Sequence, residues 1–152
     1  MDMYVVCESR RGKVHQAADA LSEAAAAHGV ATLVRSIDEA VLDDLLATDV
    51  VVAGCTLHSD TPFGGEPTRR MSGWIDALPA LDGLRVGVFC TYSFFPHTFA
   101  DVTARVSEAL AGLSSAFEAK GGRVVAAQGL HQGDFNAAAI SFVSKVLGDN
   151  KR

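Results

Sequence analysis

Apolar positions along the chain change their period several times, and each change marks an element. Met3–Cys7 is a short apolar run bounded by polar residues, the pattern of a buried strand. From Gly12 to His28 the apolar residues fall at Val14, Ala17, Ala18, Leu21, Ala24 and Ala25. That spacing is the stripe of an amphipathic helix, and Gly29 follows as its stop. Ala31–Arg35 reads as a second strand. Ser36 or Asp38 is placed to cap a short helix over 38–47, which carries Val41, Leu42, Leu45 and Leu46. Asp49–Ala53 is a third strand, apolar on both faces as a central parallel strand requires. A loop over 54–66 leads to a helix from Pro67 to Leu78 with Met71, Trp74, Ile75 and Leu78 on one face. Leu84–Phe89 is the fourth strand and 90–98 a second long loop. The longest helix spans 99–120 with its stripe at Phe99, Val102, Val106, Leu110, Leu113 and Phe117. After Gly121-Gly122, Arg123–Ala127 is a fifth strand. Phe135–Leu147 is the closing helix, with Ile140, Val143, Val146 and Leu147 inward.

Strands alternating with helices imply right-handed crossovers and an α/β fold with a doubly wound parallel sheet. Ligands in such sheets bind beyond the carboxyl ends of the strands, where strand order reverses. The loops after strands one, three and four are therefore the expected site: Glu8–Lys13, Gly54–Glu66 and Cys90–His97. The last two exceed the ~2–6 residues of a simple strand-to-helix connection, and surplus length in a compact domain is often functional.

The composition narrows the function classes. At 152 residues and 49% hydrophobic, one domain spanning the chain is expected. A net charge of −5 argues against a nucleic-acid binder. No apolar stretch approaches the ~18 residues of a membrane span, and the N-terminus meets charge at Asp2 and Glu8. A cytoplasmic protein is expected. Cys7, Cys55 and Cys90 are odd in number with no C-x-x-C pair, so neither a disulfide framework nor a zinc ribbon fits. No His/Asp/Glu/Cys spacing fits a metal site.

Several five-stranded families share this outline. A dinucleotide fingerprint and a P-loop are both absent. A receiver domain needs acids after strands one and three and a Lys after strand five, where this chain has Glu8, Gly54 and Gln128. Low-molecular-weight tyrosine phosphatases place a Cys at the end of strand one and an Arg six residues on. Here that second place holds Lys13, followed by Val14. Sugar-transport phosphocarrier domains want small and hydroxyl residues after the Cys, not Glu8-Ser9-Arg10-Arg11. Cys7 reads as a buried strand residue, since free Cys packs as a small hydrophobe.

Three stretches carry a resemblance. Val5-Val6-Cys7-Glu8-Ser9-Arg10-Arg11-Gly12-Lys13-Val14 is similar to a first strand and phosphate loop of the pattern Y-E-S-x-x-G-N-T. Asp49-Val50-Val51-Val52-Ala53-Gly54-Cys55-Thr56-Leu57-His58 is similar to D-x-x-x-x-G-x-P-T-H and leads to a helix ending Trp74-Ile75-Asp76. Arg85-Val86-Gly87-Val88-Phe89-Cys90-Thr91-Tyr92 is similar to a fourth strand and the loop after it. Together they resemble the flavodoxin-like family, in particular the single-domain flavodoxin-like proteins of high-GC bacteria. The resemblance implies a flavodoxin-like three-layer sandwich with strand order 2-1-3-4-5. It also implies FMN held by the loops after strands one, three and four, electron transfer or a small flavin-dependent redox reaction, and a redox partner protein. In flavodoxins the FMN lies at the switch point between strands one and three. No catalytic side chain is implied, because the chemistry belongs to the flavin.

The resemblance assigns the phosphate end to Ser9, Arg10, Arg11, Gly12, Lys13 and Val14. Two of these depart from the pattern: Lys13 replaces the usual Asn and Val14 the usual hydroxyl residue. The loop either exchanges hydroxyl contacts for charge, with Arg gripping the phosphate bidentately, or carries solvated cations. The ring end falls to Thr56, Leu57, His58, Thr91, Tyr92, Ser93 and Phe94. Tyr92, Phe94 and Phe95 crowd one loop, and seven of the chain's eleven aromatics lie between Phe63 and Phe99. Tyr92 is the leading ring contact, and Phe94 and Phe95 either wall the ring or staple the next helix. His58 approaches the ring or a substrate, or is simply solvated. Two other readings stay open: a degenerate module without flavin that acts through a partner surface, and a binder of another phosphorylated ligand.

Overall fold

The computed structural model describes residues 1–9, 12–57, 65–93 and 99–148, without the side chains of 65–68 and 99. The order is β1 (Asp2–Cys7), α1 (Lys13–Ala26), β2 (Ala31–Ser36), α2 (Leu42–Leu46), β3 (Val50–Thr56), α3 (Gly65–Asp76), β4 (Arg85–Tyr92), α4 (Phe99–Ala119), β5 (Arg123–His131) and α5 (Phe135–Leu147). The strands are all parallel and lie side by side as β2-β1-β3-β4-β5. This is the expected order, with the reversal between β1 and β3.

Strand alternation sorts the apolar residues into two cores. Met3, Val5 and Cys7 of β1 face α1 and α5, together with Leu21, Phe89, Phe142 and Val143. Tyr4 and Val6 face the other layer, with Leu45 of α2, Met71 and Ile75 of α3, and Leu113 and Phe117 of α4. Both faces of the central strands are thus covered, which is why their sequences run apolar without alternation. The three layers hold Met3–Cys7, Val50–Cys55 and Val86–Thr91 of the central strands out of water.

Several boundaries differ from those the sequence predicts. β3, β4 and β5 run to Thr56, Tyr92 and His131, rather than stopping at Ala53, Phe89 and Ala127. Mutual pairing extends them: Cys55↔Cys90, Thr56↔Thr91 and Tyr92↔His131 are all in register. Residues 90–92 are therefore strand, not loop. Neither Ser36 nor Asp38 caps α2. Ser36 instead donates both its N–H and its hydroxyl to the Glu39 carboxylate, at 3.2 and 3.3 Å. That turn delays the helix until the extended Val41, whose N–H donates to the Tyr4 hydroxyl at 3.0 Å. Ile140 is 61% exposed rather than inward. The stripe of α5 is Ala139, Phe142, Val143, Val146 and Leu147, and Ile140 lies one residue, or about 100°, off it. Trp74 is half-buried against the α3/α4 core.

Candidate functional site

The carboxyl ends of β1, β3 and β4 meet at the reversal of strand order. Cys7 is level with Gly54, and the Glu8 N–H donates to the Gly54 carbonyl at 3.1 Å. Gly54 has no alternative. A Cβ there would run into the Phe89 ring at Cζ, Cε1 and Cε2. The ring is fully buried and stands edge-on to Phe142 with centroids 6.0 Å apart. The glycine of the third-strand motif is thus a packing requirement.

The loop after β1 reaches α1 through Gly12, with φ 79° and ψ −160°. Essentially only glycine adopts that region. Gly12 offers no side chain to cap the helix, and the first turn of α1 carries no acid. Orphan N–H groups and the positive end of the helix dipole therefore open at the switch point. Lys13, exposed, takes the first helical position, where a cation has the wrong sign for the dipole. A bound anion would reverse that penalty.

The remaining sequence-assigned residues divide into three groups. Val14 is fully buried against the α1/α5 core, so only its backbone can serve a ligand. Leu57 likewise gives its side chain to the α3/α4 core, while its N–H donates to the Thr91 carbonyl at 2.8 Å. Ser9 and Ser93 are half-buried at the loop ends. Thr56 and Thr91 are brought together on neighbouring strands with their hydroxyls 3.2 Å apart. Arg10, Arg11, His58 and Phe94 lie outside the described residues, as do Phe95 and His97.

Tyr92 sits at the end of β4 with its ring 5.4 Å from that of His131. A Cβ on Gly129 would come within 2.9 Å of Tyr92 Cε1 and 2.8 Å of Val106 Cγ1. Gly129 therefore makes the space in which the tyrosine lies over β5. Burial raises the Tyr92 phenol, with Cys90 adding to it. The ring is half-buried, packed on its strand neighbours along one side.

Cys7 is the buried residue its sequence context predicts. Burial, helped by Glu8 and Asp19, pushes its thiol up to about 12. A thiol held there is not a thiolate nucleophile at neutral pH.

Sequence reasoning missed one feature of the site. Glu8 is only 7% exposed. Arg70 of α3 approaches Glu8 with Nη1 3.5 Å from its carboxylate, and Nη2 lies 3.6 Å from the Asp38 carboxylate. One guanidinium thus ties together the loop after β1, the turn after β2 and α3. It also offsets the Glu8 charge beside the uncapped helix. The signal in the sequence was an acid directly after a buried strand; nothing in the sequence pairs it with a residue 62 positions away.

No protein-family model and no curated protein matches the chain. Solved structures do. A flavodoxin of Streptococcus pneumoniae aligns with a TM-score of 0.73 at 15% identity, over 97% of this chain and 98% of that one. A short-chain flavodoxin associated with a non-canonical PDU bacterial microcompartment gives 0.69 at 15% identity, over 97% of each chain. A variant flavodoxin of Fusobacterium nucleatum, bound to flavin mononucleotide, gives 0.67 at 10% identity, over 96% of this chain and 95% of that one. With the same parallel sheet in the order 2-1-3-4-5 and these likenesses spanning both partners almost end to end, the chain has the flavodoxin-like fold.

Proposed function

We propose that the chain binds flavin mononucleotide in the crevice above β1, β3 and β4 and carries electrons between partners. The bound flavin supplies the redox chemistry; the protein supplies binding, orientation and electrostatics. The observation that carries this reading is the uncapped start of α1 at the switch point, with Gly12 in a glycine-only conformation and Lys13 in the first turn. These features fit a phosphate monoester, since backbone N–H groups and a point charge converge where the helix dipole already favours an anion. Arg10 and Arg11 add two further cations in the same loop by sequence. In this reading charge replaces the hydroxyl that Val14, turned into the core, cannot provide. Thr56, half-buried at the end of β3, offers its hydroxyl toward the ribityl chain and the ring's polar edge, and the fully buried Thr91 backs it through their shared hydrogen bond. Tyr92 and Ser93 border the ring.

The test is a pair of equilibrium titrations, FMN and riboflavin, on the wild type and on Lys13→Ala. A charge-assisted hydrogen bond contributes roughly 1.5–3 kcal/mol, so FMN should weaken about tenfold or more while riboflavin, lacking the phosphate, should not. Equal losses for both ligands remove Lys13 from the phosphate site. Binding of neither ligand by the wild type overturns the flavin reading. Binding of a flavin-free phosphate monoester in its place would favour another phosphorylated ligand.

A further inference from the structure

The crevice at the start of α1 holds an acid of the wrong sign for an anion. Glu8 directly follows β1, is buried, and has its N–H fixed on the Gly54 carbonyl. Its charge reaches the α1 side of the strand. The Glu8 carboxylate helps to raise the Cys7 thiol, and that sulfur lies 4.0 Å from the carbonyl of Val14 in the first turn of α1. A phosphate held at Gly12 and Lys13 would meet the repulsive field of this carboxylate, which water and salt screen poorly because it is buried.

Arg70 answers that acid from the other layer. It belongs to α3, whose Met71 and Ile75 pack in the core opposite α1. Its Nη1 lies 3.5 Å from the Glu8 carboxylate and its Nη2 3.6 Å from that of Asp38. The two acids are not equivalent. The Asp38 side chain is 78% exposed and the Glu8 side chain 9%, so solvent already screens Asp38, whereas Glu8 relies on a protein charge. Contacts of this length are too long for a tight bidentate fork, so the guanidinium acts on Glu8 chiefly as a positive charge. With Arg70 present, the Glu8–Arg70 pair is neutral toward the crevice and Lys13 keeps its full attraction for an anion. With Arg70 removed, Glu8 opposes Lys13.

We propose that Arg70 is a specificity-determining residue of the flavin site that acts through Glu8 rather than on the ligand. By neutralising the buried acid from the α3 layer, it lets the start of α1 accept a phosphate dianion and so sets the preference for phosphorylated over unphosphorylated flavin. The inference rests on the flavin reading above and adds to it a residue that none of the crevice loops supplies.

The test measures dissociation constants of FMN and riboflavin for the full chain as wild type, Arg70→Gln, Arg70→Lys, Glu8→Gln and the Arg70→Gln, Glu8→Gln pair, in low salt and in about 1 M salt, where the screening length is about 3 Å. An uncovered charge near a dianion, in a dielectric between those of protein and water, changes affinity about three- to tenfold. Arg70→Gln should weaken FMN by that factor in low salt, much less in high salt, and leave riboflavin nearly unchanged. Arg70→Lys keeps the charge and should keep the wild-type ratio of the two ligands. Adding Glu8→Gln to Arg70→Gln should restore that ratio. An arginine that merely held α3 in place would weaken both ligands alike at both salt concentrations. If Arg70→Gln fails to fold, Glu8→Gln alone decides: with Arg70 then unopposed, FMN should tighten and riboflavin should not. Equal losses for both ligands, a loss that persists in high salt, or no restoration by Glu8→Gln would overturn this proposal and leave flavin binding standing. Failure of the wild type to bind either ligand would overturn both.

Discussion

Substituting Gly54 by Ala adds one methyl group at the most crowded point of the sheet. The new Cβ would fall far inside the 3.4 Å at which ordinary contact with the Phe89 ring begins, at three ring atoms at once. The ring has little room to retreat: it is fully buried and packed against Phe142. Overpacking of this kind costs typically 1–3 kcal/mol, about 2 here. The clashing atoms, Cζ and both Cε, are those that leucine lacks. Phe89→Leu alone should therefore destabilise by opening a cavity, while the double variant should be more stable than the sum of the two single losses. Neighbours coupled through one cavity show interaction terms of roughly 0.5–3 kcal/mol. Urea unfolding of the four proteins, with free energies taken at a common slope, measures this. A Gly54→Ala protein within about 0.5 kcal/mol of wild type, the ordinary range for an unstrained surface site, would refute the packing argument. So would strict additivity.

Other perturbations probe separate features. Gly12→Ala forces a side chain into a glycine-only backbone region and should cost roughly 1–3 kcal/mol, with a matching loss of FMN affinity; urea midpoints and FMN titration read the two effects. Arg70→Ala removes the ion pair that offsets the buried Glu8 carboxylate and should destabilise by about 1–3 kcal/mol, a loss that adding Glu8→Gln should partly restore in the same unfolding assay. The Cys7 thiol sits at about 12 in the folded chain against 9.0 unfolded. Below pH 9 both states are protonated; above it the unfolded state ionises first, so stability should fall as pH rises from 9 toward 12. Urea midpoints of the wild type and Cys7→Ala across that range check the slope, which should be shallower in the variant.

The sheet was legible in the sequence because its signals are local. Apolar runs bounded by polar residues mark strands, and the stripes of α1, α4 and α5 mark helices. What escaped were consequences of tertiary pairing. Cys90-Thr91-Tyr92 reads as loop in isolation and becomes strand because β3 and β5 extend beside it. Ser36 reads as a helix cap and instead binds Glu39 in a turn. Ile140 is apolar yet exposed because the helical phase is set by Phe142 and Val143.

The place of the candidate site was legible in outline. Gly12 and Lys13 stand at the start of α1 and Thr56 at the end of β3, as their places in the sequence pattern require, while Thr91 is fully buried in β4. The fate of each side chain was not legible. Val14 and Leu57 turn into the two cores, and Tyr92 lies over Gly129. Arg70 reaches Glu8 from another element altogether. Such placements depend on what the neighbouring strand or helix presents, and sequence spacing does not encode that.

The central claim is that a flavin phosphate sits at the start of α1. It is tested most directly by following the backbone amide resonances of the full chain during titration with FMN. Large shifts are expected at Gly12, Lys13, Val14 and His15, with further shifts at Thr56, Leu57, Tyr92 and Ser93. Riboflavin should reproduce the second group and leave the first nearly still. Unmoved resonances at 12–15 under saturating FMN, or a shift pattern that riboflavin matches there, would contradict it.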